Sequence, residues 1–483
     1  MFIQGATGYW ELVIGLEVHA QLKTEHKLFS NTKINFGEEN NTQVSFVDCA
    51  MPGMLPVLNE ECVKLAIKAG VALKGKINEV SVFDRKNYFY PDSPQGYQIT
   101  QFFFPIVNEG EVDIIGEDGN DKKIKINRIH IEQDAGKSIH DQSPTETFVD
   151  LNRVGIALIE IVTDPDFRDT NEVTQFMKKL RNILKYTNVC DGDLEKGSMR
   201  CDANVSIRKK GEVPFGTRVE IKNLNSFKNI TKAIMYEANR QIGVVENGEK
   251  VVQETRLYDV SIDETKSMRK KEEAHDYRYF PDPDLLPLRV TKEYIEEIKN
   301  TLPELPDHKK DRYLKDFGIT DYDADVIIAE KNTAEFFEYL AEKVNPKLTA
   351  NWMCAELFGR LNKRGVEFKN STVSKEHFLS LLLMIDSNEI SGKIGKEVLD
   401  RMFEANIDPK EIVVKYNLVQ ISDVSEIEKI IDEVLLANPD KVTQFKSGKD
   451  KLFGFFIGQI MKISNGKANP NSVNKILTEK LKS

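Results

Sequence analysis

Cysteine is scarce in this 483-residue chain, and long apolar runs are missing altogether. The five cysteines, Cys49, Cys62, Cys190, Cys201 and Cys354, are scattered, odd in number and form no Cys-x-x-Cys pair. That excludes a disulfide framework and a structural zinc site. No apolar stretch approaches the ~20 residues that a membrane span requires. The first ten residues lack the basic start and apolar core of a signal peptide. A reducing cytoplasm is therefore the expected compartment, and no membrane is expected. Standard chemical signatures are missing too. There is no Gly-x-Ser-x-Gly, no His-Glu-x-x-His and no protein-kinase set. Asp134-Ala-Gly-Lys-Ser138 resembles the end of a phosphate-binding loop, but Ile131 stands where its first glycine belongs. Neither an internal repeat nor a low-complexity tract is present.

Charge is present in excess and unevenly spread. The net charge of −10 argues against nonspecific nucleic-acid binding by the whole molecule. Residues 441–483, however, carry nine lysines against Asp450 and Glu479, a net +7 that leaves −17 for the rest. A basic tail on an acidic body fits a polyanion docking at one end, and equally a lysine-rich solvated helix surface.

Roughly the first 290 residues read as strands with one polar face. In Val13–Leu22, a period of two puts Glu17, His19 and Gln21 opposite Leu16, Val18, Ala20 and Leu22. The same alternation groups Arg128, His130, Glu132 and Asp134, then Arg200, Asp202, Asn204, Ser206 and Arg208, and then the charges of Arg218–Lys222. Such strands make an antiparallel sheet with a polar, concave surface. A carboxylate and an imidazole two residues apart on one face can share a divalent cation, or can be a solvated face. Gly155–Val162 is apolar except for Glu160 and reads as a fully buried strand. A carboxylate there must be ion-paired, with Arg153 as one candidate, or bound to metal. Helices are expected over Glu61–Leu73 and over Thr170–Thr187, the second opening on an Asp-Thr-Asn cap.

Two loops, Phe83–Gln101 and Asp276–Asp284, mix aromatics with charge. The first exposes Arg85 and Lys86 beside Tyr88 and Tyr90, suiting an anionic or planar ligand. Each loop reads equally as a surface turn with its tyrosines packed down. Beyond the Pro-rich break Leu302–Asp307 the strand patterns cease. Short amphipathic helices are expected at Ala334–Val344, Lys347–Gly359, Lys375–Ile385 and Ser391–Phe403, with a joint at Ala405–Pro409. A compact bundle then follows from Ser425–Ala437, Asp440–Phe456, Ile457–Ser464 and Ser472–Lys482.

The strings carry more than the pattern does. Val-Ile-Gly-Leu-Glu-Val-His, Phe-Asp-Arg-Lys-Asn-Tyr-Phe-Tyr-Pro-Asp, Glu-Gln-Asp-Ala-Gly-Lys-Ser and Val-Asp-Leu-Asn-Arg-x-Gly occur in order. Gly-Ser-Met-Arg-Cys-Asp-Ala-Asn, Glu-Ile-Lys-Asn-Leu-Asn-Ser-Phe and Asp-Tyr-Arg-Tyr-Phe-Pro-Asp-Pro-Asp follow them. Gly458-Gln-Ile-Met-Lys and Gly466-Lys-Ala-Asn-Pro470 stand in the tail. Together they closely resemble the B subunits of the tRNA-dependent amidotransferases, from Trp10 to the C-terminus.

The resemblance implies an α+β fold: an antiparallel-sheet cradle (1–291), an all-helical domain (292–410) and a small basic helical tail domain (411–483). It implies a glutamine-hydrolysing, ATP-dependent ligase that works on Glu-tRNA(Gln), Asp-tRNA(Asn) or both. The side-chain carboxylate is phosphorylated by ATP, and ammonia channelled from the amidase (A) subunit displaces the phosphate. A small third (C) subunit braces the heterotrimer. By the same resemblance, Mg²⁺ is held by Glu17, His19, Glu132 and Glu160, although Mg²⁺ favours oxygen ligands over the His19 nitrogen. Lys86 contacts phosphate, with Arg85, Asp202 and Lys222 as further nucleotide contacts in the same cleft. The tRNA is gripped by Lys451, Gly458, Gln459, Lys462, Lys467 and Asn469. Two positions depart from the family pattern: Gln133 and Lys196 stand where acids are usual, which removes a proton-relaying or channel-gating carboxylate at 133. Only Cys49 falls near the place of a cysteine zinc cluster found in some members, so no zinc is expected. A noncatalytic tRNA-binding scaffold is the alternative reading, and a free-standing metal-dependent hydrolase a third.

Overall fold

The computed structural model describes residues 2–270, 274–405, 407–418, 424–464 and 467–482. It forms two compact units, Met1–Pro306 and Asp307–Ser483. The first is built on an 11-stranded sheet. Its longest strand, Gly8–Gln21, runs between Met199–Lys209 on one side and Ala157–Thr163 on the other, with Asp121–Gln133 next beyond.

Helices Glu60–Ala72, Thr170–Tyr186 and Phe227–Glu246 pack on the sheet. Their apolar faces share one core with Leu12, Ile14, Leu16, Val18, Ile129, Ile131, Ile159 and Ile161. Because side chains alternate along a strand, burying these residues forces Glu17, His19, His130, Glu132 and Glu160 onto the opposite face. Helix entry follows local chemistry: the carboxylate of Asp169 accepts from Asn171 N, and Asn59 from Glu61 N.

The expectation of a purely antiparallel sheet meets one exception. Val219–Lys222 pairs in parallel with Glu254–Asp259, and the 20-residue helix Phe227–Glu246 makes the crossover that a parallel pair needs. Gly155–Val162 is also not buried on both faces. Ile159 and Ile161 are fully buried, whereas Glu160 and Val162 line a cleft. Helix Lys292–Asn300 belongs to the first unit, since Tyr294, Ile295 and Ile298 pack into its core.

Among the described residues the second unit is helical throughout. Lys331–Ala341, Lys375–Asp386 and Gly392–Glu404 lie near their expected places. The expected helix 347–359 is part of a continuous helical run, Pro346–Arg364, that includes a π-type segment, Trp352–Leu357. In the tail, Pro439–Lys446 stops before Gly448, whose φ of 100° is open to glycine and costly for other residues, and Leu452–Ile463 is a separate helix. The break therefore falls at 447–451 and not at 456–457. Ile427, Ile431, Phe456, Ile460, Val473 and Leu477 form the tail's own core.

Candidate active site

The strand register lines up the polar face in rows. Arg200, His19, Glu160 and His130 stand directly opposite one another across four strands. The next row holds Asp202, Glu17, Val162 and Arg128, and on the other side Glu132 is paired with Leu158. Neighbouring side chains on one face of an antiparallel pair lie about 5 Å apart, so the rows bring these groups into contact.

The result is a charged cluster. His19 Nε2 lies 3.3 Å from Glu132 Oε1 and 3.6 Å from Glu160 Oε2. His130 Nε2 lies 3.0 Å from Glu160 Oε2 and 3.7 Å from Glu132 Oε2. Burial alone pushes an imidazole pKa down, but the two carboxylates outweigh it, raising His19 well above its ordinary value and His130 to about 8. The same pairing holds Glu132 and Glu160 low despite burial.

One donor atom each from His19, Glu132 and Glu160 lie within 4.8 Å of one another, close enough to bind one divalent ion. The surroundings fit an ion or anionic ligand as well. Gln101 Nε2, Arg128 Nε and His130 Nδ1 are buried without a hydrogen-bond partner among the described residues, and all three residues line the cleft. Glu17 is one row away, where it accepts from Asn204 Nδ2 at 2.8 Å.

The cavity over this cluster is ≈ 480 Å³, with Lys86, Phe102, Tyr277 and Tyr279 on its wall. An adjoining one of ≈ 410 Å³ shares His19, Lys86, Glu132 and Lys222. Burial opposes the charge on Lys86, yet nearby Tyr279, Glu132 and Glu160 raise its pKa and keep it an ammonium. Lys222 and Asp202 both reach the cleft but are paired with each other at 2.6 Å.

Arg85 is not brought to the cleft. It alternates with Lys86 along the short strand Asp84–Asn87 and turns away. Its guanidinium donates to Asp282 and Asp284, both at 2.8 Å, and stacks 4.2 Å from the Tyr97 ring centre. The two aromatic–basic loops, separate in sequence, are thereby one structure: Phe280 and Pro281 pair with Arg85 and Asp84, and Asn87 Nδ2 donates to the carbonyls of Tyr277 and Arg278. Arg153 does not pair with Glu160 either. With Arg200 it holds Asp134, at 2.6 and 2.9 Å. In the Asp134–Ser138 string, Gly136 is needed for backbone packing, since a Cβ there would sit 2.9 Å from Asp150 O. Gln133 is buried and donates to Gln95 Oε1 at 2.7 Å.

His130 is the cluster member to which the sequence alone assigns no role. Its place beside Glu132 on the period-two face is visible there, but the partner it meets across the sheet is not.

In the tail, Lys451, Gly458 and Lys462 are exposed and Gln459 is half-buried. Lys467 donates to Asn417 O, and Asn469 accepts from Asn471 N and Ser472 N at the start of the last helix. Gly466 lies outside the described residues.

Fold and site together define an α+β protein whose sheet offers a carboxylate-, histidine- and lysine-lined cleft. A family model described as the GatB/GatE catalytic domain matches residues 12–296, and one described as the GatB domain matches residues 335–481. The B subunit of the aspartyl/glutamyl-tRNA(Asn/Gln) amidotransferase of Rickettsia felis is 56% identical over 482 residues, 100% of each chain to the nearest percent. The protein of the same name from Rickettsia bellii is 56% identical over 480 residues, 99% of each. The chain belongs to the GatB/GatE family, the B subunits of tRNA-dependent amidotransferases. Among the described residues, no helix is long and apolar enough to cross a membrane.

Proposed function

We propose that this cleft phosphorylates the side-chain carboxylate of Glu-tRNA(Gln) or Asp-tRNA(Asn) with ATP and then hosts its amidation by ammonia. The observation that carries the reading is the convergence of His19, Glu132 and Glu160 within 4.8 Å, beside a charged Lys86. Phosphorylating a carboxylate brings two anions together, so cations must neutralise the transferring group. His19, Glu132 and Glu160 would hold Mg²⁺, with Glu17 closing the site from the next row. When bound, the ion supplies charge neutralisation at the phosphates. Lys86 contributes a second positive charge from the opposite wall. Asp202 holds Lys222 at the rim, where the ammonium can meet phosphate oxygens. Arg85 has no nucleotide contact in this account; it ties the wall loops together.

Lys451, Gly458 and Lys462 form an exposed basic face that meets the tRNA backbone, with Gln459 and Lys467 beside it. Asn469 shapes that face by capping the last helix. The cradle, with helix Lys292–Asn300 packed into its core, carries catalysis, and the tail (411–483) grips the tRNA. The working enzyme is a cytoplasmic heterotrimer in which an amidase partner supplies ammonia from glutamine and a small third partner braces the pair.

The test is Glu160→Gln in the reconstituted complex, assayed with free ammonia and each mischarged tRNA. ATP-dependent phosphate release and amidation are lost together while tRNA binding persists. Unchanged amidation at saturating tRNA would leave a scaffold role instead. Activity of this chain without partners or tRNA would point to a hydrolase.

A further inference from the structure

The wall of the cleft that faces the carboxylate cluster is aromatic. Phe102 and Tyr279 stack with ring centres 4.1 Å apart and planes 9° from parallel. Phe103 meets Phe102 edge-on at 5.0 Å, and Tyr277 meets Tyr279 at 5.9 Å. The row continues to the Lys86 ammonium, 5.0 Å from the Tyr277 ring centre. The wall does not complete a core, for Phe102 remains 36% exposed where it lines the cleft. An apolar surface left open inside a charged cleft marks a ligand contact.

The wall is held in place from behind. Buried Asp84 accepts from both Phe102 N and Phe103 N, at 2.8 and 3.1 Å. Asn87, three residues on, holds the backbone of Tyr277 and Arg278. The four-residue strand that carries Lys86 therefore also fixes both halves of the aromatic wall. Cation and rings sit at a set spacing, as a ligand with an anionic end and a planar end requires.

We propose that Phe102, backed by Tyr279, is the stacking platform for an adenine ring. The proposal rests on the phosphorylation reading above, because both substrates of that reaction carry adenine: ATP, and the 3′-terminal adenosine of the tRNA that bears the amino acid. Aromatic side chains bind bases through their π-faces without a hydrogen-bond code, which suits a constant base.

The experiment compares wild type, Phe102→Ala and Phe102→Trp in the full heterotrimeric complex, using free ammonia. KM is measured for ATP at saturating mischarged tRNA, and for that tRNA at saturating ATP. Inorganic triphosphate, which has the phosphates and no base, serves as a competitor. Phe102→Ala raises one of the two KM values by about fivefold or more, and Phe102→Trp restores it. The affected substrate identifies the source of the adenine. Inhibition by triphosphate stays the same in all three proteins. The proposal is overturned if both KM values stay within twofold, if triphosphate inhibition weakens in parallel, or if the variant is defective in assembling with its partners. Failure of wild type itself to amidate with ATP and ammonia would instead overturn the phosphorylation reading.

Discussion

His130 and Glu160 stand directly opposite each other on neighbouring strands, with Nε2 3.0 Å from Oε2. Glu160 thus has two imidazole partners, since His19 reaches the same oxygen at 3.6 Å. Replacing His130 by alanine leaves His19, Glu132 and Glu160 in place but frees Glu160 to turn. Loss of a group that orients a ligand costs about 10–100-fold in metal affinity or activity. His130→Ala should therefore raise the Mg²⁺ concentration for half-maximal amidation by that order. A Mg²⁺ titration indistinguishable from wild type would remove His130 from the site.

Arg85 separates a structural role from a nucleotide-binding one. Its partner Asp282 is fully buried, so removing the guanidinium leaves an uncompensated buried carboxylate. Arg85→Ala should cost on the order of 3 kcal/mol and lower the thermal midpoint of the first unit. The KM for ATP, measured well below that midpoint, should change far less. A large rise in KM with no loss of stability would restore Arg85 to the nucleotide contacts.

Asp134 sets an acid limit on stability. Burial raises its carboxyl pKa, and the charges of Arg200 and Arg153 more than reverse this, leaving it below the usual value. A depressed folded-state pKa adds stability that is complete above the unfolded value, about 3.9, and is lost as pH falls through the folded one. Asp134→Asn should thus be less stable than wild type at pH 7. The gap should close as pH drops below about 4. Thermal midpoints of both proteins from pH 3 to 7 check this, and a gap that widens toward acid contradicts it.

The tail makes an ionic prediction. Removing one lysine–phosphate interaction lowers the slope of log affinity against log salt by roughly 0.7–0.9. Lys451→Gln with Lys462→Gln should weaken tRNA binding and flatten that slope by between one and two units. Asn469→Ala, by contrast, removes a helix cap worth about 1 kcal/mol and should act on tail stability first. Filter binding across a salt series, with thermal melts of each variant, separates the two effects.

Much of this is legible in the chain. Alternation around Glu17, His19, Glu132 and Asp202 reveals polar strand faces, because a residue's side of a sheet follows from its place in a period of two. The texture change near Leu302–Asp307 falls where the units part. Pairing is a different matter. Glu160 sits in an apolar run that reads as buried on both sides, and no local rule chooses between Arg153 and two histidines as its partner. The tail helix boundary is misplaced by pattern alone because Phe453, Phe455 and Phe456 carry the helical period over a break that Gly448 imposes just upstream.

By itself the sequence determined which residues share a face, the capped start of the helix Thr170–Tyr186, the basic tail and, through its long ordered strings, the family. Tertiary structure alone decided which faces meet. Register across three strands, one of them more than a hundred residues from the other two, placed His19, His130, Glu132 and Glu160 in one cluster. It also bound the two aromatic loops into one wall and turned Arg85 away while Lys86 faced inward. The physical reason is that side-chain alternation is local, whereas partner choice depends on core packing that only the assembled sheet and its helices define.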